Sequence, residues 1–382
     1  AEGEIVVTSE APIVDTRSST IDTTFSEAML EAIPTSRESF YDLTLTAAGM
    51  ASVGSEESWL PSASAYGSAA NDNIFLVNGV NTTNPRGAPW GSLVKVNYDT
   101  VQEVKVLSLG SRAEYGSFSG AAVDVMTKSG STQFQGTVGY YAQVGDAADN
   151  MTTNFGADWL YAGADDPIVT FPIDDKELAV TLGGPVLKDK LWFYAGFSRR
   201  EGETDTPVRP LNVYNENHLY DLKLTGHFGE SHRAWLGFHY EDNFNGNETW
   251  GPWEETMYYN QPSENTTIQA EYQWVISDTN LFGFKYLGFD TEQNPQSPEL
   301  VGSPGFINWW KWIGGLSVGA AGDFPYIEAQ KSKRSTLQAD FTHYADDWAG
   351  QHELKFGVQY TSAEGNWMGG YFQNYANFAY PY

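Results

Sequence analysis

The sequence predicts a mostly β fold, in which a small α+β domain precedes about nine antiparallel strands of a transmembrane β-barrel. Three observations carry this expectation. From Phe134 onward, segments of roughly ten residues alternate strictly between apolar and polar side chains. Short and long connections between those segments take turns without exception. No apolar run reaches the ~20 residues a membrane helix needs. The nearest, FINWWKWIGGLSVGAAG at 306–322, is broken by Asn308, Lys311 and four glycines.

Composition narrows the classes. The 382 residues carry 21 Lys+Arg against 49 Asp+Glu, a formal net charge of -28. Such a chain repels the phosphates of nucleic acid. Cysteine is absent, so no disulfide framework and no thiolate metal site can form. Aromatic residues make up 15 % and glycine occurs 38 times, which favours strands and turns. A start at Ala1-Glu2 suits a mature chain from which a leader has been removed.

The elements follow in order. Before residue 131 the pattern gives short strands at 5–8, 74–77, 101–107 and 121–127, and one helix near 26–32. Nine alternating strands then fall near 134–144, 177–185, 190–200, 217–228, 232–243, 265–276, 280–291, 334–345 and 351–363. Within them Tyr220, Leu222, Leu224 and Phe228 oppose Asp221, Lys223 and Thr225, and Leu354, Phe356, Val358 and Tyr360 oppose Glu353, Lys355 and Gln359. Short turns such as LKDK, GESH and SDT alternate with long connections at 146–176, 202–216, 244–264 and 292–333. Aromatic residues near strand ends (Trp192, Phe244, Trp274, Phe289, Tyr344) suit the girdles of a membrane barrel. A soluble, lectin-like sandwich would put the same apolar face into a core, so alternation alone leaves both readings open.

Catalytic constellations are missing from the pattern, and the expectation is that the chain is not an enzyme. The six histidines show no HExxH-like spacing and read as lumen or turn residues. GSFSG at 116–120 has Phe118 where a nucleophile elbow needs serine. No cofactor is expected. Asp165, Asp166, Asp174 and Asp175 cluster oxygen ligands that suit Ca2+ in an outer loop, although a solvated acidic loop is the plainer reading of them.

Four segments together resemble a known family: EIVVTSEAPIVDT (4–16), NIFLVNGVNTTNP (73–85), VQEVKVLSLGSRAEYGSFSGAAVDVMTKSGSTQFQG (101–136) and LGGPVLKDKLWFYAGF (182–197). In order and spacing they resemble the plug domain and first barrel strands of a TonB-dependent outer-membrane receptor of the Oar-like subgroup. The resemblance implies a plug over 1–131 and the N-terminal part of a 22-stranded barrel over 132–382, in the outer membrane of a Gram-negative bacterium. It also implies that TonB, the periplasmic energy transducer, pairs with a TonB box at Glu4, Ile5, Val6, Val7 and Thr8 by strand addition. Two departures stand out. Asn78 occupies a turn where the family usually has aspartate, and Ser108-Leu109-Gly110 replaces a more usual turn. Nine strands do not close around such a plug. The expectation is a fragment of a longer receptor, or a wall completed by a second chain.

Aromatic residues in the long loops, Trp250, Trp253, Trp309, Trp310, Trp312 and Trp367, are candidate contacts for a peptide or oligosaccharide ligand or an envelope protein. Loop-on-loop packing is the plainer use of them. Outer-membrane lipid and lipopolysaccharide are the expected surroundings, and nucleic acid is not expected as a partner. The functional expectation is a receptor that imports its ligand with energy passed by TonB to the plug. The alternative is a plugged barrel that serves as a surface scaffold.

Overall fold

The computed structural model describes residues 21–143, apart from 34–36, 38–42, 44, 54–61, 70–71, 86–90, 110–115 and 117. It then describes 173–204, 212–248, 259–293, 326–345, 350 and 352–371, with short pieces at 307–310, 320–321 and 376–379.

The N-terminal unit contains β1 (Ile21–Ser26), α1 (Glu27–Ala32), β2 (Met50–Val53), β3 (Ser62–Ala65), β4 (Ile74–Val77), β5 (Val80–Asn81), β6 (Val101–Leu109) and β7 (Ala122–Thr127). Five of these strands form one sheet in the order β1-β6-β7-β4-β5, and β2 pairs with β3. Apolar side chains from one face of β6 and β7 close a core with Phe25, Leu30 and Leu43, in which Val104 and Val106 are almost wholly buried. The turn from β4 to β5 is Asn78-Gly79, with φ of 52° and 78°. Left-handed conformation at both central residues is the type I′ hairpin geometry that Asn-Gly favours. The helix near 26–32 and the strands at 74–77, 101–107 and 121–127 form close to where the pattern puts them.

The wall begins at β8 (Gln135–Gln143) and continues through β9 (Ile173–Leu187), β10 (Leu191–Thr204), β11 (Val213–Phe228), β12 (His232–Glu248), β13 (Tyr259–Ser277) and β14 (Asn280–Gln293). Two short strands follow, β15 (Ile307–Trp310) and β16 (Ala320–Ala321), then the long β17 (Tyr326–Ala345) and β18 (His352–Tyr371), and finally β19 (Ala376–Ala379). All nine strands expected from alternation form one antiparallel sheet, each beside its neighbours in sequence. The small sheet β16-β15-β19 was not expected. Turns at the narrow end are short, as between Leu187 and Leu191 or Phe228 and His232.

Polarity across the wall is inverted relative to a soluble sheet. Side chains on the outer face are exposed although apolar: Leu222 is 43 % accessible, Phe238 44 % and Val358 68 %. Polar residues on the other face are buried, with Glu241 and Asn265 at 2 % and Ser332 at 0 %. A sandwich would bury the first set under a second sheet, and no such sheet covers it among the described residues. The inversion is that of a strand between lipid and an enclosed lumen.

The apolar band ends in register. Phe197 stands opposite Tyr220, which stands opposite Tyr240, with ring centroids 5.2 and 6.1 Å apart. One pleat further toward the loops, the outward row is Arg199, His218 and Asp242. Strands continue well past this boundary, to Tyr371 in β18 and back to Tyr326 in β17, beyond the limits that alternation suggested. Above the lipid the outward face becomes polar too, so the two-residue period fades while the ladder goes on. Three girdle expectations are corrected: Trp192 and Phe289 are 8 % and 3 % accessible and point inward, because their parity along β10 and β14 is that of the lumen face, and Tyr344 shares the lumen-face parity of Thr336 and Thr342 on β17.

Placing a charge on the lipid face tests this polarity. Leu222→Arg should cost ~2–4 kcal/mol when the receptor is unfolded by denaturant from lipid vesicles. An unchanged unfolding midpoint would show that Leu222 does not face hydrocarbon.

Candidate functional site: the seam between the N-terminal unit and the wall

The polar face of the wall closes on the N-terminal unit through three sets of contacts. The first centres on Arg37, held at φ 59°. Its Nε donates to Glu177 Oε2 of β9 at 3.1 Å, and a terminal nitrogen donates to Asp99 Oδ2 at 2.5 Å. Its guanidinium lies 3.6 Å from the ring centroid of Tyr141 on β8 and 4.7 Å from that of Tyr98, a cation–π sandwich. Tyr141 also donates to Asp99 Oδ1 and Tyr194 to the Asp99 carbonyl, both at 3.2 Å. Burial alone would lower the Arg37 pKa, but the hydrogen bond and charge of Glu177, with the charge of Asp99, outweigh it and raise the value. Gly196 of β10 allows the 3-10 turn Tyr98–Thr100 to come this close, since a Cβ there would collide with Thr100.

A second set lies along β11 to β13 and on β17. Glu241 Oε1 accepts the backbone N–H of Lys95 at 2.5 Å. His239 stands between two carboxylates, Nδ1 2.7 Å from Asp221 Oδ1 and Nε2 3.0 Å from Glu241 Oε1. Asn265 Nδ2 donates to the Leu93 carbonyl at 2.6 Å, and Arg334 donates to Asn81 Oδ1 at 2.6 Å.

The third set holds the Asn78-Gly79 turn. Asn78 Nδ2 donates to Gln269 Oε1 of β13 at 2.7 Å, while its Oδ1 accepts from the Thr127 N–H at 3.0 Å and hydroxyl at 3.1 Å. Lys223 Nζ, 4.6 Å from the Trp235 ring centroid, donates to the Thr127 carbonyl at 3.0 Å. A cavity of about 40 Å³ opens beside these groups, between Asn78, Asp221, Lys223, Trp235, His239 and Gln269. Gly79 N–H donates to Asp124 Oδ1 at 2.9 Å. Burial raises the Asp124 pKa, against the Gly79 hydrogen bond and the positive charges of Lys285 and Lys105. Apolar contact across the seam centres on Val77, Val80 and Val94, with Leu93 and Val96, against Leu287 and Phe289.

Of the residues singled out in the sequence, Glu4, Ile5, Val6, Val7, Thr8, Asp165, Asp166, Trp250, Trp253 and Trp312 lie outside the described residues. Trp309 and Trp310 fall on β15, in register with Phe378 and Ala379, and Trp367 falls on β18 opposite Gln330. Asp174 and Asp175 begin β9, where the Asp175 carboxylate takes two hydrogen bonds from Arg200. Among the described residues no three carboxylate or imidazole groups are placed to hold a metal. His218 faces outward beside Glu216 rather than into the lumen. Arg37, Glu177 and Glu241 are not among the residues singled out in the sequence; the signal for Glu177 and Glu241 is their alternate polar position on wall strands β9 and β12, whereas Arg37 lies in the N-terminal unit outside any periodic segment.

Two outcomes test the seam. Arg37→Ala should destabilise the seated N-terminal unit by about 1.5–3 kcal/mol, because Asp99 and Glu177 lose a charged donor. Faster amide exchange over 97–100 with unchanged exchange in β12 and β13 would report it. Asp124 holds its proton more tightly when folded than its ordinary 3.8. Its contribution to stability is therefore complete below that value and is lost as pH rises through the raised folded value. Asp124→Asn should flatten this fall in a pH series of unfolding midpoints, and an identical pH profile in both proteins would refute the assignment.

No family model matches the chain. Over 147 residues it is 29 % identical to the TonB-dependent transporter Oar of Myxococcus xanthus, covering 35 % of this chain and 12 % of that protein. Its fold is similar to the outer membrane transporter YddB of Escherichia coli (TM-score 0.69, 14 % identity, 90 % of this chain and 48 % of that one). It is also similar to the siderophore receptor PirA of Acinetobacter baumannii (TM-score 0.64, 12 %, 89 % and 47 %) and to FpvA of Pseudomonas aeruginosa (TM-score 0.63, 12 %, 95 % and 44 %). The chain thus spans less than half the length of each. The match to Oar and the shared fold agree: the chain is similar to the TonB-dependent outer-membrane receptors, with strands laid out like those of their N-terminal unit and a stretch of their barrel wall.

Proposed function

We propose that this chain is the plug and first part of the wall of a receptor that imports an extracellular ligand, with TonB supplying the energy. The observation that supports it is the seam itself. An outward-apolar wall encloses a compact unit that is fastened by hydrogen bonds and ion pairs rather than by a continuous apolar core. Residues 1–131 act as the plug and 132–382 as wall. Glu4, Ile5, Val6, Val7 and Thr8 add as a strand to TonB, with main-chain hydrogen bonds giving most of the affinity. The structural neighbours include receptors for siderophores and one bound to a pyocin, so this fold takes ligands from small molecules to proteins. Basic residues are sparse among the loop tryptophans here, which favours a peptide or oligosaccharide over a strongly anionic chelate.

Deletion of residues 4–8 from the complete receptor tests the coupling. Ligand uptake should fall to the level of cells lacking TonB, while the amount of folded receptor in the outer membrane and its ligand affinity stay unchanged. Undiminished uptake would overturn the importer reading and leave the scaffold role.

A further inference from the structure

On the loop side of the seam, the lumen face of the wall carries two rows rich in carboxamides. Strand register sets Asn217, Asn243, Ser263, Gln293 and Gln330 side by side on β11, β12, β13, β14 and β17. One pleat nearer the loops, Asn215, Asn245 and Gln261 stand side by side on β11, β12 and β13. The N-terminal unit reaches the lower row. Lys95 Nζ lies 3.3 Å from Asn217 Oδ1 and 3.5 Å from Asn243 Oδ1, and Gln330 Nε2 donates to Asn84 Oδ1 at 3.5 Å. Among the described residues, that unit makes no side-chain hydrogen bond to the upper row.

The side chains of these rows have hydrogen-bonding capacity to give. Asn215, Asn245, Gln261 and Gln293 make no side-chain hydrogen bond to any described residue, and Asn217 uses only its oxygen. All five are half-buried, and they sit on strands, which fixes their spacing. Asn215 lies across Gly202 of β10, where a Cβ would meet its amide nitrogen at 2.8 Å. At the β9 and β10 end the charges cancel in pairs, Asp175 with Arg200 and Glu177 with Arg37. A carboxamide holds an acceptor and two donors, so one Asn or Gln can pair with both the N–H and the C=O of a peptide unit. From β9 to β17 neither row holds an aromatic residue, so the flat face on which a sugar ring rests is missing. The lower row crosses four gaps of ~4.8 Å, about 19 Å in all, the length of about six extended residues.

We propose that the ligand is an extended peptide, gripped through its main chain by these two rows of carboxamides. The proposal rests on the importer reading and adds to it the substrate class and the residues that read it. Main-chain groups repeat in every residue, so the grip accepts many sequences. A strongly anionic chelate would find amides here in place of a basic cluster.

The test uses the complete receptor in nanodiscs, with a casein digest as the peptide probe and dextran oligomers as the saccharide probe. Mass spectrometry identifies what stays bound. Peptides of little shared sequence should be retained, and dextran oligomers should not. A retained peptide resynthesised with N-methyl groups at alternate residues should bind roughly tenfold more weakly or worse, since each methyl removes a donor. The triple variant Asn215→Leu, Asn245→Leu, Gln261→Met should weaken retention of the unmethylated peptide by a similar factor and keep the heat-dependent gel shift of a folded barrel. Deletion of residues 4–8 should leave retention intact. Peptide retention by a receptor whose uptake ignores TonB would overturn the importer reading alone, and TonB-dependent uptake without peptide retention would overturn the peptide site alone. Retention of dextran oligomers in place of peptides, full affinity for the methylated peptide, or unchanged retention in the triple variant would each overturn the carboxamide grip.

Discussion

Hydrocarbon offers no partner to a backbone N–H or C=O, and each one left unpaired there costs several kcal/mol. The wall answers by pairing every inner strand along both sides, with β10 to β14 in nearly unbroken register. Once the ladder is obligatory, the pleat dictates the rest. Alternate side chains must face lipid, so the remaining ones face a closed lumen and are free to be polar. The N-terminal unit therefore meets a surface of Glu, Asn, Gln, Thr and His, and its own outside must match that surface. A seam of ion pairs and hydrogen bonds is thus a consequence of the solvent on the far side of the wall.

Such a seam behaves differently from a hydrophobic core. Each of its hydrogen bonds is worth about 0.5–1.5 kcal/mol net, because water can take the place of either partner. It can be separated in steps, with water entering as contacts part. Inside the N-terminal unit the opposite holds. Val101, Val104, Val106 and Ala121 are at most 1 % accessible and bury their apolar surface all together. Pulling on the unit would thus disturb its fastening before its interior. The buried apolar cluster across the seam, at Leu287 and Phe289, is small beside that core.

The wall was largely legible in the sequence because its rule is local: a two-residue period needs only the strand itself. Legibility ended where the environment changed. Residues such as Lys331, Lys333 and Glu364 lie on the same outward face as Leu337 and Tyr360 but above the lipid, so alternation stops while pairing continues. In the N-terminal unit, β4, β6 and β7 were readable from runs of Val and Ile. β1, IDTTFS, was not, since its pairing to β6 and not its own pattern makes it a strand. The seam was hidden for a different reason. Arg37 and Glu177 are 140 residues apart, and nothing near either one announces the other.

Asn78 shows how structure gives meaning to a departure that sequence could only note. Aspartate is usual in this turn, and a carboxylate could accept from Thr127 as the Asn78 oxygen does. It could not donate to Gln269, as the Asn78 amide does. It would also place a second negative charge on a turn whose next residue, Gly79, already leans on Asp124, a carboxylate that burial pushes toward its neutral form. The amide keeps both contacts and adds no charge. Thr127 then joins the pieces, holding Asn78 through its N–H and hydroxyl and Lys223 of the wall through its carbonyl. Because Thr127 ends β7 and the chain enters β8 only eight residues later, at Gln135, the same residue anchors the turn, the wall and the linker between them. A neutral clamp at this point leaves charge contacts of the seam to groups such as Arg37 and Arg334, each held by partners of its own.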